Sequence, residues 1–155
     1  MGVLVLLLGL GGLVLLESTR GDQRDSQTID RGISHLVEGL ASGQRDDFVS
    51  AQKEFLDVNS GWLVDEYAAF ALQTTERLRR RIVGSDSSQD TPRDQTAPYY
   101  AAIARGDLER ARQWATNHAS ESTSGAAGRS KYMLRFITDI ERVGGEGIVE
   151  RIRGR

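Results

Sequence analysis

The residues of this chain that could do chemistry are few and scattered. Its two histidines, His35 and His118, lie far apart, belong to no H-x-E or H-E-x-x-H arrangement, and have no cysteine to join them, so no zinc site is expected. At 100° per residue His35 falls nearly opposite the stripe Ile33, Leu36, Val37 and Leu40 and is expected to face water. His118 falls at a helix end, where a cation is favoured. Among the acids, Asp46 with Asp47 read as a helix cap and Asp65 with Glu66 as an exposed helix face, and no pair is placed for general acid and base work. The glycine-rich "GLGG" at 9–12 sits inside an apolar run, and no G-x-x-x-x-G-K-[ST] or strand followed by G-x-G-x-x-G occurs. No catalytic, cofactor-binding or metal-ligating residue is therefore assigned, and the chain is read as not an enzyme.

Binding chemistry is better represented. Arg77, Arg79, Arg80 and Arg81 close a helical segment, where positive charge complements the negative end of the helix dipole; contact with an acidic partner or anionic lipid is the competing reading. Trp62, Tyr67, Tyr99, Tyr100 and Trp114 are the aromatics expected to anchor a partner protein at the lip of a helical groove, with core packing competing for each. A net charge of -2, from 20 basic and 22 acidic residues, offers nucleic acid no attraction, and the arginine cluster has no interleaved aromatics. A small ligand is not expected.

The elements that must position these residues begin with "GVLVLLLGLGGLVLL", fifteen residues (2–16) without a polar side chain. As a helix the run reaches about 22 Å, short of a bilayer core of about 30 Å, and local thinning accommodates the difference at small cost. A secretory signal fits the length, yet no Lys or Arg precedes the run and no A-x-A-like site comes after it. Residues 1–17 are accordingly expected to be an uncleaved transmembrane anchor, with a cleaved signal and a buried core helix as the alternatives. Arg20, Arg24 and Arg31 after the span argue for a cytoplasmic body, whereas a signal-like anchor delivers the body behind it to the far side. The side stays open, with the balance toward the periplasmic or extracytoplasmic face.

The segment 17–27 has no apolar residue and reads as a polar tether, assigned to 18–27. Helical spacing comes next: Ile29, Ile33, Leu36, Val37 and Leu40, then Phe48, Ala51, Phe55 and Leu56 after Gly43, with Asp46 placed to cap the second stretch. A long third helix is expected from Trp62 to Val83, capped by Asn59 or Ser60, with Leu63, Tyr67, Phe70 and Ala71 on one face. These make a helical hairpin region at 28–83. Residues 84–98 contain both prolines and read as a linker. The second helical region, 99–155, holds two short helices meeting at "RGD" (105–107), a loop at 120–128, and a strong stripe of Tyr132, Met133, Phe136, Ile137 and Ile140 closed by Gly144 and Gly145. The terminal "IVERIRGR" is expected to fray or to add one last helical turn.

Two places read alike: "GLASGQRDDFVSAQKEF" (39–55) and "AAIARGDLERARQWA" (101–115). Each ends one helix on small residues, turns at Gly, and opens the next with a large apolar residue three before Ala. This resembles the turn of the tetratricopeptide repeat family, with Gly106, Asp107, Leu108 and Ala111 in register; the first copy has three extra residues between Gly43 and Phe48. Neither copy carries the early Trp-x2-Leu-Gly signature or the terminal Pro, and the 34-residue period is not established. The likeness covers about thirty residues. It implies a groove, lined by the first helix of each pair, that takes a peptide or partner helix, and it implies no catalysis.

The sequence thus predicts an all-α fold: a single N-terminal transmembrane helix followed by a tetratricopeptide-like bundle of antiparallel helical hairpins. The expected function is a non-enzymatic membrane-anchored interaction protein, an accessory or assembly subunit of a membrane complex, held by residues 2–16. The alternative is a secreted or periplasmic helical domain released by signal cleavage, binding a small ligand or acting enzymatically.

Overall fold

A computed structural model describes residues 24–59, 65–84, 95–120 and 124–155. The expected anchor, the expected tether up to residue 23, the Ser60 half of the expected cap, Trp62, Leu63 and most of the linker lie outside them. All regular structure among the described residues is α-helix: α1 (24–42), α2 (Arg45–Val58), α3 (Glu66–Val83), α4 (Ala97–Ala104), α5 (Leu108–Ser120), α6 (Ser124–Gly144) and α7 (Ile148–Arg153). Among those residues no helix is long and apolar enough to cross a membrane.

The stripe Ile29, Ile33, Leu36, Val37 and Leu40 is buried along α1 and shares one core with Phe48, Ala51, Phe55 and Val58 of α2. Two glycines one heptad apart bring these helices close. A Cβ at Gly32 would stand 2.6 Å from the Phe55 ring, and one at Gly39 would stand 3.0 Å from the Phe48 ring. Because residue numbers rise along α1 as they fall along α2, the pair is antiparallel, turning at Gly43 (φ +72°). In the same way Tyr67 meets Asp139 and Phe70 meets Phe136, which makes α3 antiparallel to α6. The Arg112–Glu141 ion pair ties α5 to α6. The same core collects Tyr67, Phe70 and Leu78 of α3, Tyr99, Tyr100 and Ile103 of α4, Leu108, Ala111 and Ala115 of α5, and Met133, Phe136, Ile137 and Ile140 of α6.

Several local expectations are corrected. Residues 24–27, expected in the tether, belong to α1: its backbone ladder runs a turn ahead of the apolar stripe, and the Thr28 hydroxyl donates back to the Arg24 carbonyl at 2.9 Å. Leu56, assigned to the buried face of α2, is 54% exposed; the stripe instead closes through Val58, three residues after Phe55. Asp46 does not cap α2, whose N-cap position is Gln44 without a side-chain bond; Asp46 and Asp47 lie in the first turn, where they still complement the helix dipole. Asp65 is the cap of α3, its carboxylate accepting from the Ala68 amide at 2.8 Å, and Asn59 instead closes α2, donating to the Phe55 carbonyl. The loop expected at 120–128 gives way to helix from Ser124, and α4 starts at Ala97, with Pro98 in the first turn, where no amide donor is needed.

The terminal segment does add a helix. After α6 the chain turns through Gly145 (φ +66°) and Gly147 (φ +86°), both left-handed conformations that exclude most side chains. Then α7 buries Ile148 and Ile152. It lies across two turns. Gly106 (φ +70°), between α4 and α5, approaches the Val149 carbonyl and Ile152 so closely that a Cβ would stand 3.0 Å and 3.2 Å from them, and Gly43 lies against the Arg155 side chain.

Candidate functional site

Of the aromatics expected to line a partner groove, Tyr67, Tyr99 and Tyr100 are buried in the core. Tyr99 donates its hydroxyl to the Met133 carbonyl at 2.9 Å and meets Tyr100 edge-on at 5.2 Å. Tyr100 lies under the Arg77 guanidinium, 5.0 Å from the ring centroid. Trp114 is half-buried and stacks on His118 at 4.6 Å, an arrangement that gives His118 an aromatic partner at the end of α5. His35 is half-buried rather than fully in water. Tyr99, Tyr100 and Trp114 are thus brought together around α4 and α5, while Tyr67, at the start of α3, packs in the same core against Tyr132 and Asp139.

The arginines of α3 work within the chain. Arg77 donates to Thr96 Oγ1 at 3.0 Å, tying α3 to the start of α4. Arg79 and Arg80 converge on Glu76, at 2.8 and 2.7 Å, and Gln52 of α2 donates to the same carboxylate at 2.7 Å. The hydrogen bond from Arg79, with those from Arg80 and Gln52, holds the Glu76 carboxyl down at about 2 against an ordinary 4.5. Arg81 is half-buried.

A buried polar cluster among the described residues is one that sequence reasoning missed. Asp139 of α6 is 8% exposed. Its Oδ2 accepts the Tyr67 hydroxyl at 2.5 Å and stands 3.6 Å from Arg135 Nε, and its Oδ1 accepts from Arg142 at 3.1 Å. Arg142 reaches on to Asp30 of α1 at 2.5 Å, and the Arg135 guanidinium lies over the Tyr67 ring at 3.8 Å. Burial first, and then the bond to Asp139, push the Tyr67 hydroxyl far above its ordinary value. Both carboxylate oxygens are occupied by donors of the chain itself, so the cluster holds α1, α3 and α6 in register. A signal for it exists: Asp139 falls three positions after Phe136, on the apolar stripe of α6, and an acid on a buried face needs cations such as those at 135 and 142.

A second polar feature holds α7. The Arg155 guanidinium donates to the Leu40 carbonyl at 2.7 Å and to the Ala104 carbonyl at 2.9 Å, so one side chain satisfies the C-terminal ends of α1 and α4 together. Arg151 pairs with Glu38 of α1 at 2.9 Å. No group of three or more potential metal ligands occurs among the described residues. Comparison with protein-family models, with curated proteins and with solved structures returned no match.

Proposed function

We propose that this chain is a membrane-anchored helical interaction protein, an accessory or assembly subunit of a membrane complex that contacts its partner through the helical bundle. The observation that carries this reading is the order of composition along the chain. Fifteen apolar residues, 2–16, are followed by eleven residues without an apolar side chain, 17–27, and then by an amphipathic helical body. The hairpins joined at Gly43 and Gly106 support reading the bundle as tetratricopeptide-like, since both turns use a left-handed glycine and the first pair approaches through small residues. Among the described candidates Tyr67, Tyr99, Tyr100 and Trp114, only Trp114, half-buried on α5, keeps enough exposure to reach a partner. In this reading the bundle faces the periplasmic or extracytoplasmic side.

The test is the mass and location of the native chain. An intact chain in the membrane fraction, released by deletion of residues 2–16, supports the anchor. A soluble chain beginning near Ser18 favours the second reading, a secreted helical domain, to which the signal-like length of the apolar run lends support.

A further inference from the structure

We propose that α7 is a self-bound ligand: the end of α1 and the α4–α5 turn form a seat for an amphipathic helix of pattern Ile-x3-Ile-x2-Arg, and α7 occupies it until a partner helix of that pattern displaces it. The proposal rests on the reading of the bundle as an interaction module and names the chemistry of its partner.

Three features of the seat point to an exchangeable occupant. It reads charge as well as shape: two helix-end carbonyls, Leu40 and Ala104, and the Glu38 carboxylate all face the occupant, and all three are met by guanidinium. The two carbonyls belong to different helices, α1 and α4, so a single cation spanning both is favoured there whichever chain supplies it. The occupant is small, six helical residues inserting Ile148 and Ile152. Its connection is short and glycine-rich: beyond Gly144, where α6 ends packed against Ile148, the chain runs Gly145-Glu146-Gly147, and a Cβ at Gly145 or Gly147 would meet nothing within 4 Å. Those two glycines are required by their backbone angles and not by packing, so among the glycines of the connection Gly144 alone packs closely against α7, at Ile148.

The apparent affinity for an external helix is reduced by the fraction of chains in which the seat is occupied from within, so weakening the internal helix must strengthen external binding. The probe is a fluorescent peptide of residues 147–155, measured by anisotropy against the full chain in detergent. Arg155→Ala removes both carbonyl bonds of the internal helix while the peptide keeps its own arginine. It is expected to tighten peptide binding by about tenfold over the unaltered chain. Adding Glu38→Arg to that variant is expected to weaken binding severalfold, since it reverses one half-exposed ion pair, and undiminished binding there overturns the proposal. Equal or absent binding in a folded Arg155→Ala chain overturns it as well. Hydrogen exchange on the unaltered chain gives a second readout independent of any variant: amides of 148–153 are expected to exchange well before those of 133–140, and equal protection also overturns it. Because neither measurement depends on residues 2–16, a failure here is distinguishable from a failure of the anchor.

Discussion

A tyrosine hydroxyl donated to a carboxylate inside a helical core has no water to fall back on, so the value of the Tyr67–Asp139 bond lies in the group its loss would strand. Tyr67→Phe keeps the ring under Arg135 and removes one donor, and is expected to lower stability by about 1–2 kcal/mol in urea unfolding. Asp139→Ala strands the Tyr67 hydroxyl and leaves Arg142 and Arg135 without their shared acceptor, and should cost clearly more by the same measurement. The tyrosines also set an alkaline limit. Burial raises the Tyr67 and Tyr99 hydroxyls above the ordinary value of 10.0, so above pH 10 the unfolded chain releases protons that the folded chain keeps. Stability must therefore fall as pH rises past 10, with the tyrosinate absorbance of these two residues appearing only as the chain unfolds. Glu76 acts in the opposite direction. Its carboxyl, held at about 2 by Arg79, Arg80 and Gln52, contributes stability that is complete above pH 4.5 and is lost as pH falls toward 2. Glu76→Gln should flatten the acid limb of a stability profile over that window.

At the scale of elements, the close approach of α1 and α2 makes a contrast between two glycines. In Gly32→Ala the new methyl would stand 2.6 Å from a fully buried Phe55 ring, and a loss of about 1–3 kcal/mol is expected. In Gly128→Ala, on α6, nothing lies within 4 Å, and the better helix propensity should add about 0.5–1 kcal/mol. Thermal melts of the two variants should shift in opposite directions. The same helices show how much sequence alone carries. The stripes of α1 and α6 are legible because their apolar residues repeat at helical spacing without interruption. The start of α6 is not, since "SESTSGAAG" has loop composition and the apolar period begins only near Tyr132 and Met133. Nor are the caps: the sequence reads Asp46 as a cap and Asp65 as part of a helix face, and only the path of the backbone decides that Asp65 accepts from an amide while Asp46 sits inside the first turn of its helix. Tyr67, Tyr99 and Tyr100 are legible as large amphipathic side chains. Which of two roles Tyr67 and Tyr99 fill depends on contacts across 72 and 34 positions of chain, which no local window contains.

For the whole molecule, the balance of apolar and polar segments makes its own prediction. Deleting residues 2–16 is expected to move the chain from the membrane to the soluble fraction while leaving the helical circular dichroism of the body unchanged, because the buried residues described in α1–α7 already form one cluster. Loss of the helical signal on that deletion would place the apolar run in the core, the reading that competes with an anchor. The all-α architecture is legible from composition and period, since no stretch of the body alternates with the period of two that strands require. The arrangement that closes it is not, because Arg155 carries no motif and meets its acceptors only through the turns at Gly43 and Gly106.

The ties between α1 and the last two helices span 112, 113 and 115 positions, from Asp30 to Arg142, Glu38 to Arg151 and Leu40 to Arg155. During translation, at roughly 5–20 residues per second, α1 is made before its partners and must wait about 6–23 seconds before those contacts can form. For that interval Asp30, Glu38 and the Leu40 carbonyl lack these arginines, and a ribosome stalled before codon 142 would present a nascent chain whose first helix has none of the three ties.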